Sequence, residues 1–330
     1  MEDILKTNVS ETDKDALYTI VLYLLSLQQQ IKIDKEWSAF SKEIKEKSRF
    51  FPNNTAVLQR IDRYKDIATD TLRVGDCFFR ARIYNPFDEK LIKLNEMVAQ
   101  MLSSESPCED FLSETMQFPA SALFVSIKLL VDAEHGKFKN IYEDWRKEYQ
   151  PFLGYNERAS DAPPSDIVTE GRANPRHISY LYAASDVNTA ISEIRPMNGQ
   201  IVSVATIEIQ KELKIYGFDK KRIWDDTHNF ADQIELSYIA ELFSMPCYGD
   251  ETKYLPTQYI CDYIRSLGYD GIRYDSSLCS GGHNIALFDT SVKNNDIHEN
   301  YKIIDSKLYE ANSNITAKQF LPIVEEMSMT

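Results

Sequence analysis

The run Gly171-Arg-Ala-Asn-Pro-Arg-His-Ile-Ser-Tyr-Leu-Tyr-Ala-Ala-Ser-Asp-Val-Asn-Thr-Ala-Ile-Ser-Glu-Ile-Arg-Pro196 is where the chain changes texture. Ahead of it the pattern is mostly helical. Within and after it, short strands alternate with short helices, which is the signature of a mixed sheet packed with helices, an α+β fold. Residues 178–183 predict a strand, 185–195 a helix with a Ser/Asp start and Pro196 as its stop, and 201–209 a second strand. Residues 231–243 and 256–267 predict helices, the second ended by Gly268, and 271–274 and 284–288 predict closing strands. The tail from Val292 is polar and is expected to be peripheral.

Upstream, residues 1–70 predict helices: one capped by Thr12 or Asp13, one over 34–49, and a third after the breaker Phe51-Pro52-Asn53-Asn54. The apolar run 17–27 is far short of the ~20 residues that span a bilayer, and it is expected to be buried. The first strand pattern is Cys77-Phe-Phe-Arg-Ala-Arg-Ile-Tyr84, bounded by Gly75-Asp76 and Asn85-Pro86. Residues 88–101 and most of 107–154 read as helical. The expected organisation is a helical region 1–70, a core domain 71–300 with a helical insertion at about 88–160, and a tail 301–330.

Charge and composition remove several function classes. The chain has 330 residues, 37 Lys and Arg against 51 Asp and Glu, and a net charge of −14. Residues 1–70 hold 11 basic and 12 acidic residues, so the acidity belongs to the remainder. Broad nucleic-acid binding, which draws on Lys and Arg meeting phosphates, is not expected. The five cysteines, Cys77, Cys108, Cys247, Cys261 and Cys279, are scattered and form no Cys-x-x-Cys, which fits a reducing, cytoplasmic setting. No basic stretch leads into an apolar one at the start, so neither a secretory leader nor membrane attachment is expected. No metal-ligand spacing, Gly-rich phosphate loop or Gly-x-Ser-x-Gly elbow occurs, and metal, dinucleotide-fold and α/β-hydrolase classes drop out.

Five short segments carry residue types unusual for scaffolding: Phe79-Arg80-Ala-Arg82, Gly171-Arg172, Tyr180-Leu-Tyr182, Ile191-Ser-Glu193-Ile-Arg195 and Tyr274-Asp-Ser276-Ser277. A guanidinium in a strand is costly to bury unless it meets an anion. Arg80 and Arg82 therefore either bind an anion or line the solvent face of an edge strand. Glu193 falls in the last turn of its predicted helix, where the dipole disfavours a carboxylate. It either pairs with a nearby Arg or serves chemistry.

Taken together and in this order, these segments resemble the RES domain family, named for its Arg, Glu and Ser. The resemblance rests on the 171–196 run, on Phe78-Phe-Arg80 before it, and on Tyr254-Leu-Pro-Thr-Gln258, Gly268-Tyr-Asp-Gly-Ile-Arg-Tyr-Asp-Ser276 and Asn284-Ile-Ala-Leu-Phe after it. It covers roughly 78–290, most weakly over 88–165, and does not reach residues 1–70. The resemblance implies an ADP-ribosyltransferase-like mixed β core and attack on NAD⁺ as substrate, with no further cofactor. It implies a toxin that degrades NAD⁺ with phosphate or water as acceptor, and a neutralising antitoxin as partner. Carried over by position, it makes Glu193, Arg80 and Arg172 catalytic and assigns substrate binding to Tyr182 and Ser276, with Arg82, Tyr84 and Asn284 beside them. Two departures stand out: Ala173 replaces the aromatic usual after Gly-Arg, and the chain is longer by a helical region. Transfer of ADP-ribose to a macromolecule and a non-catalytic nucleotide- or partner-binding module are the competing expectations, and the 1–70 helices are open to serving as a homodimer element, a docking surface or core.

Overall fold

The computed structural model describes residues 11–85, 147–219, 223, 230–245, 251–290, 292–293, 297–311 and 318–319. The helices expected over 88–101 and across most of 107–154 lie largely outside the described residues. In chain order the principal elements are α1 (Glu11–Glu46), α2 (Ala56–Arg63), β1 (Thr69–Leu72), β2 (Cys77–Ile83), β3 (Leu181–Ala184), α3 (Val187–Glu193), β4 (Ile201–Ile209), β5 (Leu213–Phe218), α4 (Phe230–Ser244), α5 (Leu255–Ser266), β6 (Gly271–Asp275), β7 (His283–Leu287) and β8 (Tyr301–Glu310). The fold is α+β. The chain forms two compact units, each interrupted in sequence: Met1–Thr71 with Pro164–Tyr180 and Lys214–Ser277, and Leu72–Pro163 with Leu181–Leu213 and Leu278–Thr330.

In the first unit the strand order is β1-β5-β6. β5 and β6 run parallel, from Ile215 opposite Gly271 to Phe218 opposite Tyr274. Parallel neighbours need a long crossover, and α4 and α5 supply it. Their apolar faces close the core: Phe243 stacks on Phe218 with centroids 4.7 Å apart, and Ile260 and Ile264 are fully buried.

Helix α1 departs from expectation twice. The two helices read from the sequence are one helix of 36 residues, because no Gly or Pro interrupts residues 11–46. The apolar run expected to be buried is helical but exposed, with Tyr18 and Leu24 more than half accessible. The physical reason is length. At 1.5 Å per residue α1 spans about 54 Å, whereas its partners α4 and α5 have 15 and 12 residues. Only the later part of α1, with Ile33, Phe40 and Ile44, reaches the core.

That part is tied down by a buried ionic group. Arg60 of α2 donates from Nε to Glu36 of α1 at 2.8 Å and from Nη1 to Glu235 of α4, which also accepts from the Tyr64 hydroxyl. Burial and the Glu235 carboxylate push the Tyr64 phenol well above its usual range.

In the second unit the strand order is β7-β3-β2-β4-β8, with Lys318–Gln319 beyond β8. β4 pairs on one side with β2, from Cys77 opposite Glu208 to Ile83 opposite Val202. On its other side it pairs with β8, from Tyr301 opposite Ile209 to Glu310 opposite Ile201, with an irregularity between Ile303 and Asp305. The tail read as peripheral is therefore corrected over 301–310: alternate residues Tyr301, Ile303, Ser306 and Leu308 are buried. The intervening Lys and Asp residues, which made the stretch look polar, take the other face or the irregular step.

The Arg60 group generates a stability test. Removing Glu235 leaves Arg60 buried with half its ionic support, and breaking a buried pair costs about 3–5 kcal/mol. Glu235→Gln is expected to lower the unfolding free energy, measured by chemical denaturation, by an amount in that range, and Arg63→Gln, whose partner Asp232 sits at a more exposed site, by under about 1 kcal/mol.

Candidate functional site

Helix α3 and strand β7 build the most closely coupled part of the site. Asp186 caps α3, accepting from the Thr189 amide at 2.9 Å and the Thr189 hydroxyl at 2.6 Å. After seven helical residues, Ile194 ends the helix and Arg195 turns into the left-handed region at φ 48°. Glu193 is thereby the last helical residue, and its side chain is exposed. Its Oε1 accepts from Asn284 Nδ2 at 2.7 Å. Asn284 is buried at 5 % exposure, so one carboxylate oxygen is held from below by the sheet. The loop before β7 comes up close under α3. A methyl group on Gly282 would overlap the Thr189 side chain, so only glycine allows this approach.

Strand register divides the predicted site residues between the two faces of the sheet in the second unit. β2 meets β3 at Phe79 opposite Ala184, and β3 meets β7 at Ala184 opposite Asn284 and Tyr182 opposite Ala286. Directly opposed residues share a face, and alternate residues return to it. Ala81, Ala184, Ala190, Ile191, Val202 and Val204 form one apolar cluster with Phe79 packed on it. This is the face that carries α3, and it also carries Tyr182, Asn284 and Glu193. Arg80 and Arg82 lie on the opposite face.

The two arginines are partly buried and locally engaged. Arg80 donates from Nη1 to the Tyr182 carbonyl at 2.8 Å. Since β2 and β3 share a single register pair, the guanidinium supplies a donor where the ladder has parted. Arg80 Nε is buried and makes no hydrogen bond among the described residues. Burial first, and then the charge of Arg82, pull the Arg80 guanidinium down to about 10, so it stays cationic at neutral pH. Arg82 donates from Nη2 to the Asp161 carbonyl at 2.6 Å, and burial lowers it as well.

Asp161 ties this face together. Its Oδ2 lies 2.6 Å from His298 Nε2, and its Oδ1 accepts from the Tyr301 hydroxyl at 2.7 Å and the Ala162 amide at 2.7 Å. The His298 and Tyr301 rings stack with centroids 4.3 Å apart. Burial alone would raise the Asp161 carboxyl, but the hydrogen bonds from His298, Tyr301 and Ala162 hold it below the usual range. Sequence reading missed Asp161, His298 and Tyr301. His298 and Asp161 are 137 positions apart, and no spacing rule joins them.

Tyr84 continues the arginine face but sits in an apolar cluster with Ile201 and Leu308, its ring 4.8 Å from that of Tyr155. Arg172 and Ser276 belong to the first unit. Arg172 donates to the Phe243 carbonyl at 2.6 Å and lies over the Tyr274 ring at 5.2 Å. Its loop is pinned by Thr257 and Gln258, which donate to the Arg172 and Gly171 carbonyls. Ser276 follows β6 and is half-buried. The structure thus brings Glu193, Asn284 and Tyr182 to one face, Arg80, Arg82 and Tyr84 to the other, and keeps Arg172 and Ser276 in the separate unit.

A cavity of about 730 Å³ in the first unit, lined by Arg49, Phe50, Arg176, Tyr259 and Asp262 among others, contains none of these eight residues. Among the described residues no group of His, Cys, Asp or Glu is assembled to hold a metal ion, and no helix is long and apolar enough to cross a membrane.

With this geometry in place, comparison with known proteins gives one family: the RES domain model matches residues 144–304, in agreement with the resemblance carried by the motifs there. The match takes in Arg172, Tyr182, Glu193, Ser276 and Asn284 and begins after Arg80, Arg82 and Tyr84. No curated protein and no solved structure gives a significant match.

Two measurements test the site's construction. Asp161, depressed in the folded state, supports the fold fully above its unfolded value near about 4 and loses that support as pH falls through the folded value. The stability difference between wild type and Asp161→Asn, followed by chemical denaturation, is expected to be largest at neutral pH and to shrink below about pH 4. Gly282→Ala is expected to cost about 1–3 kcal/mol through overpacking against Thr189, with the thermal midpoint as readout.

Proposed function

We propose that the protein degrades NAD⁺ by cleaving the bond between nicotinamide and ribose, with phosphate or water as acceptor, and that it acts as a bacterial toxin or defence effector. The observation that carries this reading is the Glu193 carboxylate, exposed at the end of α3 and held at 2.7 Å by buried Asn284 within the RES domain match.

The reaction suits a single carboxylate. When the bond breaks, its electron pair stays on the pyridinium nitrogen and nicotinamide leaves neutral, so the leaving group needs no acid. The ribose carbon takes on oxocarbenium character, as in other glycosidic cleavages. A fixed anion at Glu193 stabilises that charge or holds the ribose hydroxyls. The acceptor oxygen then bonds to the same carbon, giving the 1-phosphate of ADP-ribose from inorganic phosphate, or ADP-ribose from water as its O–H bond breaks and the proton passes to solvent. Asn284 keeps the carboxylate oriented, which preserves its alignment without solvent reorganisation. Tyr182, on the same face, offers a flat aromatic surface to nicotinamide. Arginine suits phosphate oxygens through bidentate hydrogen bonds, and the family pattern assigns Arg80 and Arg172 to this reaction, with Ser276 as a hydroxyl donor. No cofactor or metal is called for by these steps.

The test follows nicotinamide release and the ribosyl product from purified protein and NAD⁺, with and without phosphate. Turnover is expected, falling about 100- to 1,000-fold in Glu193→Gln and strongly in Arg172→Ala. Asn284→Leu is expected to lower kcat while leaving KM nearly unchanged. Phosphate dependence identifies a phosphorylase and its absence a hydrolase. Folded protein that neither binds nor consumes NAD⁺ refutes the reading.

A further inference from the structure

Helix α1 carries a surface that the proposed reaction does not use. From Ala16 to Ile31 there is no Asp, Glu, Lys or Arg, in a chain of which 27 % is charged. Within that stretch Leu17, Ile20, Leu24, Leu27 and Ile31 follow one another at steps of three, four, three and four. This is the heptad spacing that sets a and d positions along one seam of a helix. Leu17, Ile20, Leu24 and Ile31 are 39 %, 54 %, 57 % and 55 % exposed, and Leu27 is half-buried. Apolar side chains in this number on one helix mark an interaction surface.

We propose that α1 pairs with α1 of a second copy of this chain, making the protein a homodimer through a short two-helix coiled coil. Three observations select this occupant. The 3-4 repeat is the pattern with which one helix meets another by knobs-into-holes packing, and a seam of Leu and Ile is complementary to itself. The flanking e and g positions, Val21, Tyr23, Gln28 and Gln30, are uncharged, so two identical seams meet with no like-charge repulsion. Elsewhere the chain's net charge of −14 opposes self-association, and the neutral stretch is where copies approach at least electrostatic cost. A helix lying on a membrane surface needs a polar face rich in Lys and Arg, which residues 16–31 lack. The seam is short, but α1 is already helical and anchored through Ile33, Phe40 and Ile44, so pairing spends little on ordering the backbone.

The experiment is sedimentation equilibrium of the full chain over a concentration series. It includes a Leu17→Lys/Leu24→Lys double variant and Thr19→Lys, an exposed control outside the seam. Wild type and Thr19→Lys are expected at twice the 38.1 kDa chain mass. The double variant is expected as a monomer with unchanged helicity by circular dichroism, its dissociation constant raised at least about 100-fold. A wild-type protein that stays monomeric at about 50 µM overturns the proposal, because a working interface between copies has a lower dissociation constant than that. A dimer that survives the double substitution also overturns it, since the contact then lies elsewhere. So does a monomer that floats with vesicles of phosphatidylcholine and phosphatidylglycerol, which makes the stretch a membrane-surface element. Each readout is independent of NAD⁺ turnover.

Discussion

Alternation along β2 is the constraint on which the second unit depends. Phe79 and Ala81 must turn toward α3 to complete the cluster with Ala184, Ile191 and Val204. Period two then sends Arg80 and Arg82 to the other face. β4 lies between β2 and β8 and fixes this register on both sides, so a one-residue slip would exchange the buried alanines for guanidinium groups. The chemical division of the unit, with a carboxylate and its amide partner on one side and two arginines with Asp161 on the other, follows from packing.

Two buried ionic groups among the described residues are networks rather than single pairs. In the first unit Arg60 meets two carboxylates from different helices, and Tyr64 shares one of them. In the second, Asp161 accepts from His298, Tyr301 and its neighbouring amide. Burying an ion is costly unless its hydrogen-bonding capacity is filled, and both groups fill it by drawing partners from distant segments. Arg80 departs from this pattern, with one donor on the Tyr182 carbonyl and a buried Nε that has no partner among the described residues.

Helix α1 shows how one segment serves two environments. Its later part contributes Ile33, Phe40 and Ile44 to a core shared with α2, α4 and α5. Its earlier part carries an uncharged apolar seam into solvent. A hydrophobic pattern specifies that a surface will be covered, but not whether the cover comes from the same chain.

The sequence by itself determined the elements whose signals are local. β2, β4, α4, α5, β6 and β7 all appear within a residue or two of their predicted bounds, because alternation, caps, Pro and Gly act over a few positions. It also carried the resemblance to the RES domain that the match over residues 144–304 supports, since the order of short motifs survives whatever the geometry. It could place Glu193 at the end of a helix, but not name Asn284 as the residue that holds it, because that contact crosses 91 positions. Only the tertiary structure decided that β8 is a buried strand within a polar tail, that the 17–27 run is exposed, and that Arg80 and Glu193 lie on opposite faces. Each of these depends on which neighbour a surface meets, and neighbours are set by register and packing between distant segments.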